Sequence, residues 1–245
     1  KTYQYYGKIK YVIEKRDKMD YKIIGTTMPL VEIALSKGEL IKSQAGAMKW
    51  MDETVEMQTN MDGGLGGFLK RKVMGESGFI NYFRATRNGD RIAFGHTFPG
   101  SIIAVDVTKQ SLICQKRAFL CSTENVELNI AFQKRLGAGF FGGEGFIMQE
   151  LRGTGIAFVE IDGESIEIDL ERGQRIKVET GSVGMLESSV QIDIEMVKGF
   201  KNVLFGGEGL FLTTLTGPGK VWIQTMPIQS MAGEIFPYLP IPRQR

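Results

Sequence analysis

Met74-Gly75-Glu76-Ser77-Gly78-Phe79, Gly142-Gly143-Glu144-Gly145-Phe146 and Gly206-Gly207-Glu208-Gly209-Leu210 are three versions of one phrase. The glutamates stand 68 and then 64 residues apart, the interval of a supersecondary unit present three times. Each phrase leads into an apolar stretch, a turn and a second apolar stretch. The turns are Asn88-Gly89, Gly153-Thr154-Gly155 and Gly217-Pro218-Gly219.

Between the phrases the alternation is that of strands. Val126, Leu128, Ile130 and Phe132 recur at every second position, and Val190, Ile192, Ile194 and Met196 repeat them 64 residues later. Val55, Met57, Thr59 and Met61 echo the pattern in the first repeat. Period two with polar partners such as Glu127, Asn129, Gln191 and Asp193 describes antiparallel strands with one face on a core. Val126, Ile130, Val190 and Ile194 are expected to share a face and to be buried between sheets. Upstream, Lys37-Gly38-Glu39, Lys109-Gln110-Ser111 and Arg172-Gly173-Gln174 read as hairpin turns, and Asp162-Gly163 reads as a two-residue hairpin between Val159-Ile161 and Ile166-Ile168.

The class that follows is all-β: three fused, pseudo-threefold-related antiparallel sandwich or barrel units with little helix. The divisions fall at 1–20, an extension outside the repeats; 21–96, 97–159 and 160–225, the three repeats; and 226–245, a tail with Pro227, Pro237, Pro240 and Pro242. A short turn of helix is expected near 230–235. Thirty-one glycines against seven prolines suit tight turns and disfavour long helices.

Composition narrows the function classes. A net charge of +2 is too small to mark a nucleic-acid binder by bulk electrostatics. No apolar run reaches the roughly 18 to 20 residues of a spanning helix, and residues 1–20 lack a secretory apolar segment, so the expected compartment is the cytoplasm. Cys114 and Cys121 make no disulfide framework and are expected as reduced, buried thiols. His96 is the single histidine, which leaves no imidazole set for a metal, and no Gly-x-Ser-x-Gly elbow accompanies it. No cofactor is implied.

Two sets of residues remain as candidates. Glu76, Glu144 and Glu208 are flanked by glycines once per unit; a turn-holding role is needed in every unit, whereas catalysis is needed once, so these are read as structural. An enzyme using the repeated glutamates in a cleft is the competing class. The second set is basic: Lys70, Arg71 and Lys72, then Lys134 and Arg135, then Lys198 and Lys201, interleaved with Phe68, Phe140, Phe141, Phe200 and Phe205. Cations among aromatics suit an anionic membrane surface or single-stranded nucleic acid.

The stretches Ala45-Gly46-Ala47-Met48 and Phe98-Pro99-Gly100, the three Gly-Glu phrases, and Val221-Trp222-Ile223-Gln224-Thr225-Met226-Pro227 resemble the altered-inheritance-of-mitochondria family over most of residues 21–240. The resemblance implies a fold similar to the trp RNA-binding attenuation protein, with three such β-units in one chain, a homo-oligomer, and no established enzyme activity. The expectation is a non-enzymatic, self-associating scaffold or binding module, a trimer or a multiple of one, with an anionic membrane surface or nucleic acid as its partner.

Overall fold

Six residues, Leu30–Leu35, show how the strands form. Val31, Ile33 and Leu35 are buried while Leu30, Glu32 and Ala34 are half-buried, the alternation that β-branched and aliphatic residues take on a pleated surface. A computed structural model describes residues 2–6, 9–16, 19–59, 80–95, 97–134, 145–196 and 211–239 of the 245.

The same six-strand sequence of elements occurs three times. Unit 1 comprises Leu30–Leu35, Leu40–Gln44, Met48–Met51, Glu56–Thr59, Ile80–Arg84 and Asp90–Gly95. Unit 2 comprises Gly100–Asp106, Leu112–Gln115, Phe119–Thr123, Val126–Lys134, Phe146–Gly153 and Ile156–Asp162. Unit 3 comprises Ser165–Leu170, Arg175–Glu179, Val183–Glu187, Gln191–Met196, Phe211–Thr216 and Gly219–Gln224. In each, the sixth strand pairs with the first and third, and the fifth pairs with the second and fourth, so a unit is a sandwich of two three-stranded sheets. All of these ladders are antiparallel.

Strand exchange joins the units. The second strand of unit 1 pairs with the third of unit 2, Cys121 opposite Ser43, Ser122 opposite Lys42 and Thr123 opposite Ile41. The second strand of unit 2 pairs likewise with the third of unit 3, Met185 opposite Cys114, Leu186 opposite Ile113 and Glu187 opposite Leu112. Two six-stranded composite sheets result. The first sheet of unit 1 is instead extended by Met19–Ile24, Ile9–Arg16 and Thr2–Tyr6, and among the described residues the last sheet of unit 3 is three-stranded.

Three cores lie between these four sheets, and each takes residues from two units. Ile33, Phe83 and Phe94 meet Leu120, Ile156 and Phe158 in the first; Leu112, Val159 and Ile161 meet Met185 and Trp222 in the second; Val183, Leu215 and Val221 meet Phe146 and Met148 in the third. Edge-to-face rings anchor the first core, Tyr21 on Phe158 at 5.0 Å and Phe83 on Phe94 at 5.5 Å, a geometry favoured by the ring quadrupoles. Among the described residues the sheets form sandwiches and no barrel closes.

Several local expectations are corrected. The turns at Lys37-Gly38-Glu39 and Arg172-Gly173-Gln174 exist, with Gly38 at φ 89° and Gly173 at φ 78°, but they are corners and not hairpins. The strands on either side belong to opposite sheets of the sandwich, as do those around Lys109-Gln110-Ser111, because both must bury a face on the same core. Asp162-Gly163 is also a corner: Gly163 N–H donates to the Pro99 carbonyl, and Ser165–Leu170 pairs with Gly219–Gln224. The strand Ile156–Asp162 runs through positions 159 and 160. Val126, Val190 and Ile194 are buried, whereas Ile130 is half-buried; it sits on an edge strand beside a bulge between Ile130 and Phe132 that tilts the strand off the core. Among the described residues helix is limited to Ile228–Ile235 and two short 3-10 turns.

Candidate functional site

The fourth and fifth strands of each unit form its true hairpin. The segments joining them hold most of the sequence-derived candidates. Lys70, Arg71, Lys72, Arg135, Lys198 and Lys201, the turn glutamates Glu76, Glu144 and Glu208, and His96 all lie outside the described residues. Lys134, the last residue of Val126–Lys134, is described. Its Nζ donates to the carbonyl of Ile194 in the hairpin of unit 3, and an ammonium has two further N–H donors for other contacts.

That bond belongs to an arrangement in which the hairpins of units 1 and 2 lean on the following unit. Phe132, Phe146 and Met148 of unit 2 pack into the third core, with the Phe132 and Phe146 rings 6.3 Å apart. Ile80 of unit 1 packs against the second core in the same sense. The chain therefore enters segment 135–144 beside the strand that enters segment 197–210.

Elsewhere the carboxylates serve the backbone. Asp90 accepts from Thr54 Oγ1 at 2.6 Å and from the N–H groups of Thr86 and Arg87; the Thr54 bond is the main reason its carboxyl stays below the usual range. Glu179 accepts from the N–H groups of Gly181 and Ser182. Glu39 takes the N–H of Ser36 at 2.6 Å. These are local acceptor bonds of the kind that hold turns.

One carboxyl differs. Glu160 is buried in the run Ile156-Ala157-Phe158-Val159-Glu160-Ile161, where the sequence shows only a single acid among apolar neighbours. Burial pushes its carboxyl from 4.5 up to about 8, with the Asp162 charge adding to the rise and Lys49 opposing it. Asp162 is itself raised by burial, against the N–H of Ile228 at 3.0 Å and the charge of Arg117. Sequence reasoning read Asp162 only as a turn residue and did not single out Glu160, whose signal was a charge breaking an apolar strand. The nearby thiol of Cys121 is held well above its ordinary value by burial and then by Glu160, and Cys114 is pushed up to about 12. Both are free and buried, so neither is a ready nucleophile. Among the described residues no group of three or more His, Cys, Asp or Glu is placed to hold a metal, and no helix is long and apolar enough to cross a membrane.

Residues 21–226 match the family model described as mitochondrial biogenesis AIM24. An uncharacterized protein of Streptococcus pyogenes serotype M6 is 30% identical over 222 residues, covering 86% of this chain and 87% of its own length. The crystal structure of a Streptococcus pyogenes protein superposes with a TM-score of 0.71 at 24% identity, over 95% of this chain and 100% of that one, which shows a shared fold. None of these descriptions states an enzymatic activity.

Proposed function

We propose, from the premise that this chain belongs to the mitochondrial biogenesis AIM24 family, that it is a non-enzymatic scaffold or binding module. In this reading it is a cytoplasmic protein that self-associates and engages an anionic membrane surface through the basic segments of its hairpins. The observation that carries the surface is the bond from Lys134 Nζ to the Ile194 carbonyl, which draws the entrances of two basic segments together. Lysines and arginines clustered in the sequence of such segments produce a local field that a net charge of +2 conceals. Each lysine or arginine near anionic lipid is worth about 1 kcal/mol, so three or four engaged cations give reversible attachment.

Co-sedimentation with phosphatidylserine-containing vesicles tests this. Binding at low salt is expected to fall steeply as salt rises, and replacing Lys70, Arg71, Lys134 and Arg135 by Ser should abolish it while the oligomer persists. A single-stranded oligonucleotide run in parallel separates the nucleic-acid reading by its saturable site size in nucleotides. Failure of the wild type to bind vesicles at low salt would reject the membrane surface.

A further inference from the structure

In unit 1 the first strand is paired on both sides, with Asp90–Gly95 on one and Met19–Ile24 on the other. In unit 3 the first strand, Ser165–Leu170, pairs with Gly219–Gln224 and, among the described residues, ends its six-stranded sheet. We propose that this edge receives an extended segment of a partner protein in which apolar and basic residues alternate, added antiparallel as Met19–Ile24 is added in unit 1. A sheet edge presents the backbone N–H and carbonyl groups that such a strand needs.

The ladders give the register. Ala93 stands opposite Trp50, and Trp222 opposite Met185, each just after the bulge of a third strand. On the other side Ala93 opposes Glu32 and Trp222 opposes Glu167, so the two glutamates occupy one position. Val31, Ile33 and Leu35 then correspond to Ile166, Ile168 and Leu170. Against Leu30–Leu35 the added strand sets Ile23 opposite Val31, Lys22 opposite Glu32, Tyr21 opposite Ile33 and Asp20 opposite Ala34.

Burial shows what an added strand covers. Val31 and Ile33 are 0% exposed, and Tyr21 and Ile23 pack in the same core as they do. Their counterparts in unit 3 lose cover toward the start of the strand: Leu170 is buried, Ile168 half-buried and Ile166 49% exposed. A ring in the place of Tyr21 and an aliphatic side chain in the place of Ile23 shield Ile168 and Ile166.

Charge selects the strand. Glu164-Ser165-Ile166-Glu167-Ile168-Asp169-Leu170-Glu171 holds four carboxylates and no cation. Glu167 accepts from Lys220 Nζ and Trp222 Nε1, whereas Glu164, Asp169 and Glu171 are exposed. In unit 1 it is the added strand that supplies the cation, Lys22 Nζ lying 2.8 Å from Glu32. Opposite charges facing each other across a ladder favour pairing and like charges oppose it. The edge therefore repels an acidic strand, the same edge of a second copy included, and admits a basic one. Asp169 stands where unit 1 has Ala34, so the partner carries a lysine or arginine where the chain's own added strand has Asp20.

This surface stands independently of the membrane reading, and its test uses no lipid. The probe is a fluorescein-labelled synthetic peptide with the sequence of Met19–Ile24 and the change Asp20→Lys. It should bind the full chain saturably and slow amide exchange at Ser165–Leu170. The same peptide with glutamate at both lysine positions should not bind. Asp169→Lys in the chain, at an exposed site, should weaken binding severalfold, and returning the opposing peptide residue to aspartate should recover it, because this register places the two together. Absence of binding, binding with exchange at Ser165–Leu170 unchanged, or equal affinity for the acidic peptide each overturns the proposal. Slow exchange at this strand without peptide, developing as the protein is concentrated, makes a second copy the occupant and overturns it as well.

Discussion

Ser43 and Cys121 face each other across the seam between the first two units, and neither exposes any surface. A hydroxyl and a thiol are small side chains, and the Ser43 hydroxyl is satisfied by the Gln44 carbonyl at 3.0 Å. The seam is thus packed like a core rather than like a contact between separate domains.

Ile194 lies in the third core at 3% exposure. Its replacement by Ala is expected to lower stability by about 2–5 kcal/mol, the range for truncating a buried aliphatic residue. The same change at half-buried Ile130 should have a clearly smaller effect. Urea unfolding of both variants checks the ordering, and equal losses would contradict the assigned burial.

Stability should depend on Glu160 with a definite sign. Its carboxyl is raised from 4.5 to about 8 in the fold, so between those values the folded chain holds a proton that the unfolded chain has released. Stability from this group is therefore full below 4.5, falls as pH rises through the window and levels above about 8. Glu160→Gln should flatten the profile and leave the variant more stable than the wild type at alkaline pH. A residual slope of the same sign is expected from Asp162, also raised. Parallel pH profiles in the two proteins would refute the assignment.

Two glycine substitutions separate backbone strain from collision. Gly38 has φ 89° with open space where a Cβ would stand, so Gly38→Ala should cost about 1–2 kcal/mol from conformation alone. Gly155 has φ 135° and its Cβ would lie 1.9 Å from Thr123 Oγ1. That hydroxyl accepts the Ile156 N–H at 3.1 Å, so Gly155→Ala should be the more damaging. Thermal melts rank them, and a reversed order would show that the Gly155 turn relaxes freely.

Neither cysteine should react with a thiol reagent in the native protein, since both are buried and their thiols are held above the ordinary range. Both should react once the chain is unfolded. Labelling of Cys121 under native conditions would mean that the seam opens.

The sequence carried the repeat, the all-β class and the alternating strands because those depend on local pattern. It did not carry sheet membership. Lys37-Gly38-Glu39 has the chemistry of a tight turn in a hairpin or in a corner alike, and only the shared core decides between them. Strand exchange was hidden for the same reason, since the pairing of Ser43 with Cys121 spans residues from two units and leaves no periodic mark. Glu160 was visible as an acid in an apolar run, but its burial depends on packing that local pattern does not record. Of the candidate cations, Lys134 alone falls within the described residues, and its tie to the Ile194 carbonyl required the fold.

Self-association is expected to cover two sheet edges that the described residues leave open, Met48–Met51 and Arg175–Glu179. Amide hydrogen exchange on the unmodified protein across a dilution series tests it most directly. Exchange at Met48–Met51 and Arg175–Glu179 should be slow at high concentration, approaching that of the internal seam strand Leu112–Gln115, and should quicken on dilution while the internal seams stay protected. Fast exchange at both edges at every concentration would contradict the claim.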